Sequence, residues 1–224
     1  MLYEGTPGKG LETKTIKGGT HLSNSIKTQI KDPELIKKRH FHIAQRASQL
    51  FIKQGYSATT IREISKATGI TIGNLYDYIE KKEDVLCLVF NVFHQMWIEY
   101  LEKHGVFEIE DPVEQLRTAT RRMLEPVYDY HEMVLLMYQE SKHLPKKFLQ
   151  ETMKKEGSLI DCFEKILIRG VEKKAFHVDD TFFTANMIVF QLAIPSLRWW
   201  SLKKKFTTEQ LMDLIESAVM KSVQ

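Results

Sequence analysis

Residues 59–78, TTIREISKATGITIGNLYDY, constrain this chain more than any other stretch. They carry two short helical patterns with a glycine between them. Thr60 and Glu63 form a capping box: the threonine oxygen accepts from the amide of residue 63, and the carboxylate accepts from the amide of residue 60. Ile61, Ile64 and Ala67 then fall at the spacing of one inward helix face. Gly69 supplies the left-handed backbone that ends a helix without steric cost. Ile70 plugs the turn, and Thr71 caps a second helix reaching Tyr76 or Asp77. Leu75 points back to the core with Ile61, Ile64 and Ile70, which leaves Thr71, Ile72, Gly73, Asn74, Tyr76 and Tyr78 to face out. Gly73 costs a helix about 1 kcal/mol relative to alanine, which suits a helix that must press close to a groove wall. This is the layout of a helix-turn-helix reader of duplex DNA. Taken alone it also fits a surface pair of helices with no ligand.

The flanks extend the pattern. Residues 35–54 repeat at helical spacing through Ile36, Ile43, Ala44, Ala47, Leu50 and Phe51, and stop at Gly55-Tyr56. Lys82, Glu83 and Asp84 open a further helix through Val85, Leu86, Val89, Phe90, Phe93 and Trp97. With these in place, AQRASQLFIKQGYSATTIREISKATGITIGNLYDYIEKKEDVL resembles the N-terminal domain of TetR/AcrR-type transcriptional regulators. The matching elements are Leu50-Phe51 with Gly55-Tyr56, the run Thr59 to Ile64, Gly69-Ile70-Thr71, Gly73 to Tyr76, and Lys82-Glu83-Asp84. The family often has His and Phe at positions 77 and 78, where this chain has Asp77 and Tyr78. Asp77 would repel a phosphate, so it points away or meets a cytosine amino group.

The contacts expected of the reader follow from side-chain chemistry. Thr71, Ile72, Gly73 and Asn74 meet base edges, with Asn74 suited to adenine and Ile72 to a thymine methyl. Thr60, Tyr76, Tyr78 and Lys82 meet phosphates, because hydroxyls, cations and helix N-termini suit anions. Charge is distributed accordingly: residues 1–30 carry a net +2, residues 31–86 a net +3 and residues 87–224 a net −2. The excess is modest, and it sits on the proposed DNA module and the arm before it.

The domains expected are an arm over residues 1–30, a helix-turn-helix domain over 31–81 and a helical effector-binding and dimerisation domain over 82–224. The arm is rich in Gly, Thr, Lys and Ser, lacks periodicity and reads as disordered. It has no apolar leader segment, and no run in the chain suits a membrane span; the most apolar run, residues 187–195, is too short. Cys87 and Cys162 lie far apart in apolar helical contexts and read as buried thiols of a reducing cytoplasm.

Beyond residue 110 the chain reads as helices only, so the fold class is all-α. Asp111-Pro112 starts one helix. Pro145 ends another, a long helix follows over about 146–173, and Asp179 or Asp180 caps the next over about 181–202. That helix is apolar nearly all round and needs cover on every side. Thr207 and Gln210 open the last. Two apolar terminal helices suggest a homodimer closed by a four-helix bundle, as the family resemblance also implies. The interface residues expected are Phe190, Ile194, Trp199, Trp200, Leu211, Leu214, Ile215 and Ala218. A monomer that buries both helices internally is the alternative.

Met96, Tyr100, Met123, Tyr128, Met133, Met137, Phe163, Phe183 and Met187 are flexible or aromatic groups that can line an adaptable apolar cavity. Core packing explains each of them singly. The family resemblance implies an apolar effector pocket among these helices. Residues 198–205, RWWSLKKK, look like regulators that respond to long-chain acyl-CoA thioesters, whose phosphates would meet the cations. The implied mechanism is a repressor, dimeric on a palindromic operator, in which effector binding tilts the helix that begins at Lys82. Control by a protein partner, or by no small molecule, is the alternative. Nothing points to an enzyme, a metal or a cofactor: His40 and His42 are not an i, i+4 pair, and there is no Gly-rich phosphate loop or Gly-x-Ser-x-Gly elbow.

Overall fold

A computed structural model describes residues 26–224, apart from the side chains of Ile98, Tyr128 and Asp129. Among the described residues every regular element is a helix. The chain divides into two compact units. Among the described residues, one takes 26–96 together with 136–152, and the other takes 97–135 and 153–224.

The first unit holds α1 (Pro33–Gln54), α2 (Ile61–Thr68), α3 (Ile72–Tyr76) and the start of α4 (Lys82–Lys103). Asp32 caps α1 through its carboxylate, which accepts from the amides of Glu34 and Leu35, and Pro33 occupies the first turn. The capping box of α2 is complete, and Gly69 ends that helix at φ 68°. The inward face of α2 differs from the expectation in one place. Ala67 is exposed, and Thr68 is buried instead. The i, i+3, i+7 series from Ile61 runs through Ile64 to Thr68, and the Thr68 hydroxyl satisfies itself by donating to the carbonyls of Ile64 and Ser65.

This unit is larger than the expected 31–81. A three-helix module of some 50 residues buries only a modest share of its surface alone. Val85, Leu86, Leu88 and Val89 of α4 are all 0–1% exposed, so the compact body continues to Met96. It also takes in the end of α6 (His131–Glu140), the short turn Ser141–His143 and the start of α7 (Lys146–Glu172). Residues 1–25 lie outside the described residues, while 26–30 are packed on the first unit, with Ile26 8% exposed.

The second unit contains α5 (Pro112–Asp129), α8 (Thr181–Leu202), α9 (Thr208–Lys221) and the greater part of α7. Asp111, Asp180 and Thr207 cap α5, α8 and α9 as expected. Leu116, Leu124, Phe163, Leu167, Ile188 and Val219 lie at the centre of its core. Arg121 pairs with Glu209, Asp213 and Glu216, and Arg117 with Glu216, so a charged network ties α5 to α9 at the surface. Cys87 is buried, and burial pushes its thiol up to about 12. Cys162 is only half-buried, contrary to expectation, and burial raises it too. Among the described residues no helix is long and apolar enough to cross a membrane.

Candidate nucleic-acid interface and effector-domain surfaces

The recognition helix α3 is only five residues long, so neighbours must hold it. Thr71 caps it by accepting from the amide of Asn74 at 3.3 Å. Leu75 is fully buried, while Thr71, Ile72, Gly73, Asn74 and Tyr76 are exposed, Ile72 at 40% and Tyr76 at 43%. All four base-reading candidates are therefore exposed, at the cap and first turn of α3. Thr60 is exposed beside them in sequence at the start of α2, where its hydroxyl is shared with Glu63.

Tyr78 departs from this pattern. It is 7% exposed and packs edge-on against His40, with ring centroids 6.3 Å apart. The reason is helical geometry: α3 ends at Tyr76, and the chain turns inward through Tyr78 and Ile79 to start α4. Tyr78 is therefore a core residue and not a surface hydroxyl. Lys82 is half-buried. Its ammonium sits 4.3 Å above the Tyr56 ring and donates to the carbonyl of Ser57 at 3.3 Å. Tyr56 is itself held between Phe51 and His143, at 5.3 Å and 5.2 Å. Burial, reinforced by Glu83, pushes the Tyr56 phenol up to about 12, so the ring stays neutral beneath the cation.

Sequence reasoning missed two anchors on α1. His40 Nε2 lies 2.9 Å from the carbonyl of Tyr78, and His42 Nε2 lies 2.8 Å from that of Thr68. With Nε2 protonated, each donates to a carbonyl that flanks the turn and recognition helix. Burial holds His40 below its ordinary pKa. No local signal marks these two as anchors, because their partners lie 38 and 26 residues away.

In the second unit the expected pocket set separates. Met123 and Phe163 are buried in the same core, and Met133 is buried too. Tyr100 is half-buried and donates to Glu125 at 2.8 Å, with Arg122 on the same carboxylate. In the first unit Met96 and Met137 are half-buried. The side chain of Tyr128 lies outside the described residues. Phe183 and Met187 do not line an interior: they are 65% and 43% exposed. They belong to one stripe, 183, 187, 190 and 194, at i, i+4, i+7 and i+11, which also carries Phe190 (50% exposed) and Ile194. The opposite face, Ala185, Ile188, Val189 and Leu192, fills the core. Within one copy of the chain α8 is therefore covered on one side only, and its expected full cover is left to a partner copy.

On α9, Leu214 is 51% exposed and Ala218 is exposed, whereas Leu211 is buried and Ile215 packs on the core. Trp199 stacks on His131 at 4.9 Å, and Trp200 lies 5.3 Å from Arg198. Both tryptophans fall outside the i+3/i+4 series of the α8 stripe. Among the described residues no group of three or more His, Cys, Asp or Glu side chains could hold a metal.

Comparison with known proteins places these features. A family model described as "Bacterial regulatory proteins, tetR family" matches residues 43–87, and one described as "Tetracyclin repressor-like, C-terminal domain" matches residues 110–223. The regulator HbdR of Aromatoleum sp. (strain CIB) is 28% identical over 122 residues, which is 54% of this chain and 53% of HbdR, so the chain spans about half the length of that relative. The repressor KstR2 of Mycobacterium tuberculosis is 21% identical over 180 residues, 79% of this chain and 88% of KstR2. The crystal structure of AibR in complex with isovaleryl coenzyme A and operator DNA superposes with a TM-score of 0.72 at 21% identity, covering 83% of this chain and all of AibR. At that identity the likeness is one of fold.

Proposed function

The chain belongs to the TetR family of bacterial regulatory proteins, and on that premise we propose that it is a cytoplasmic repressor that binds a palindromic operator as a homodimer and is released by a small apolar effector. One observation carries the DNA reading: Thr71, Ile72, Gly73 and Asn74 are all exposed, at the cap and first turn of a helix that the fully buried Leu75 anchors. Gly73 adds to it. A Cβ there would meet nothing of the protein within 4 Å, so internal packing does not call for a glycine; a base edge or sugar brought close does. Asn74 and Ile72 read bases, and Thr60, Tyr76 and Lys82 hold phosphates. Asn74→Ala is expected to relax preference at one base pair at a cost of about 1–3 kcal/mol. Lys82→Ala is expected to weaken all duplexes alike and to reduce the salt slope by about one. Fluorescence anisotropy across a salt series measures both, and intact operator binding in both variants would overturn the docking.

The apolar stripe on α8, with Leu214 and Ala218 of α9, supplies the face by which two copies join. Phe183 and Met187 move into this set. Leu211 and Ile215 leave it for the core, and Trp199 and Trp200 lie off the stripe at its C-terminal end.

For the effector, the half-buried Tyr100 and the cationic run at Arg198 and Lys203–Lys205, all in the second unit, support an acyl-CoA thioester. The AibR complex holds a short-chain relative of that ligand class. Titration with acyl-CoAs of increasing chain length is expected to release operator in a gel-shift assay and to raise the melting temperature. At a hundredfold excess over Kd the stabilisation is about 2.7 kcal/mol. Unchanged operator affinity and melting at every chain length would point instead to control by a protein partner.

A further inference from the structure

Residues 26–30, ahead of α1, make contacts that neither a family resemblance nor composition explains. Thr28 Oγ1 donates to the carbonyl of Asp77 at 2.7 Å, and the Gln29 amide donates to the same oxygen at 2.9 Å. The Ile30 amide donates back to Thr28 Oγ1 at 3.1 Å, which fixes that hydroxyl in place. Ile26 is buried, at 8% exposure. Lys27 pairs with Glu80 at 3.3 Å, but both side chains are more than half exposed, so the pair adds little.

Asp77 is the C-terminal cap of the recognition helix. The last carbonyls of any helix lack partners within it, and a five-residue helix has almost no internal bonds to spare. Here the Asp77 carbonyl is held by the 26–30 segment and the next one, at Tyr78, by His40 of α1. The exit of the reading helix is thus fixed from two directions, and one of them is the end of what composition presents as a tail.

We propose that residues 26–30 are a positioning strap for operator recognition: Thr28 and Gln29 set the angle of α3 through the Asp77 carbonyl, without touching DNA themselves. The proposal rests on the DNA-reading role of residues 71–74. A hydrogen bond that positions a helix is worth about 1 kcal/mol, or roughly fivefold in affinity. Thr28→Val, which keeps shape and removes the donor, is expected to weaken binding to the selected operator roughly fivefold. Adding Gln29→Pro, which removes the second donor, is expected to bring the loss to about 25-fold. Thr28→Ser is expected to restore full affinity. Binding to an unrelated duplex, and its dependence on salt, should stay unchanged in all three, because no phosphate contact is lost.

The experiment uses the full-length chain and a duplex that this chain selects from a random pool, with anisotropy at several salt concentrations and a melting curve for each variant. If the double variant does not fold, Thr28→Val alone decides. Parallel loss on operator and unrelated DNA, with a smaller salt slope, would make the segment a phosphate contact and overturn the strap. Unchanged operator affinity in a folded Thr28→Val would overturn it as well. If the intact chain selects no duplex at all, the DNA-binding reading fails, and that result is distinct from both.

Discussion

Phe190→Asp is expected to turn the dimer into a monomer and to abolish operator binding at concentrations where the parent chain binds fully. Phe190 lies at the middle of the exposed α8 stripe, at 50% exposure, with Phe183 and Met187 on one side and Ile194 on the other. In a twofold interface the substitution occurs twice, and each carboxylate must be desolvated opposite an apolar twin. The effective penalty is several kcal/mol for each buried, unpaired ion. Even a total of about 5 kcal/mol raises the dimer dissociation constant more than a thousandfold. A monomer holds one half-site, so it loses the second recognition helix as well. Sedimentation equilibrium and anisotropy measure the two effects. Met153 on α7 is 63% exposed but lies off this stripe, so Met153→Asp is expected to leave both unchanged. A folded Phe190→Asp that remains dimeric would remove this face from the interface.

Gly170→Ala is expected to destabilise the second unit by about 3 kcal/mol, which lowers the melting temperature of a chain of this size by roughly 6–12 °C. An added Cβ would stand 1.9 Å from Phe176 Cδ2 and 2.4 Å from Cε2. Phe176 cannot easily retreat. It is 6% exposed within the core, and its own amide and that of Ala175 both donate to the Gly170 carbonyl, at 3.2 and 2.8 Å. Helix propensity pulls the other way, since alanine gains about 1 kcal/mol over glycine in a helix interior. The overlap is the larger effect here. Gly157 on the same helix gives the control, because a Cβ there meets nothing within 4 Å. Gly157→Ala is therefore expected to raise the melting temperature slightly, so one substitution at two places on α7 carries opposite signs. Equal shifts in thermal melts of the two variants would show that propensity, and not the Phe176 contact, governs Gly170.

The legible part of this molecule lies close to the diagonal of its sequence. The capping boxes at Thr60/Glu63 and Thr207/Gln210, the Gly69 stop and the Asp180 start are all where their residue types put them. The buried Leu75 and the exposed residues 71–74 were also readable. Three kinds of statement were not. Tyr78 was assigned to the surface because helical phase was extended past the residue where the helix stops. Phe183 and Met187 were assigned inward because a helix apolar all round does not say which side its own chain will cover. Ala67 was assigned inward in place of Thr68 because apolarity hid a hydroxyl that bonds its own preceding turn.

Local chemistry by itself therefore determined the helices, their ends and the type of reader this chain carries, because caps and periodicity act over three to four residues and need no distant partner. Tertiary structure alone decided how the reader is aimed and which apolar face stays open. Asp77 is bound by Thr28 from 49 residues away, Tyr78 by His40 from 38, and Leu211 is drawn into a core that leaves Leu214 outside. Such pairings leave no mark in the local sequence, since each depends on where two separate segments meet after the entropy of closing the loop between them has been overcome.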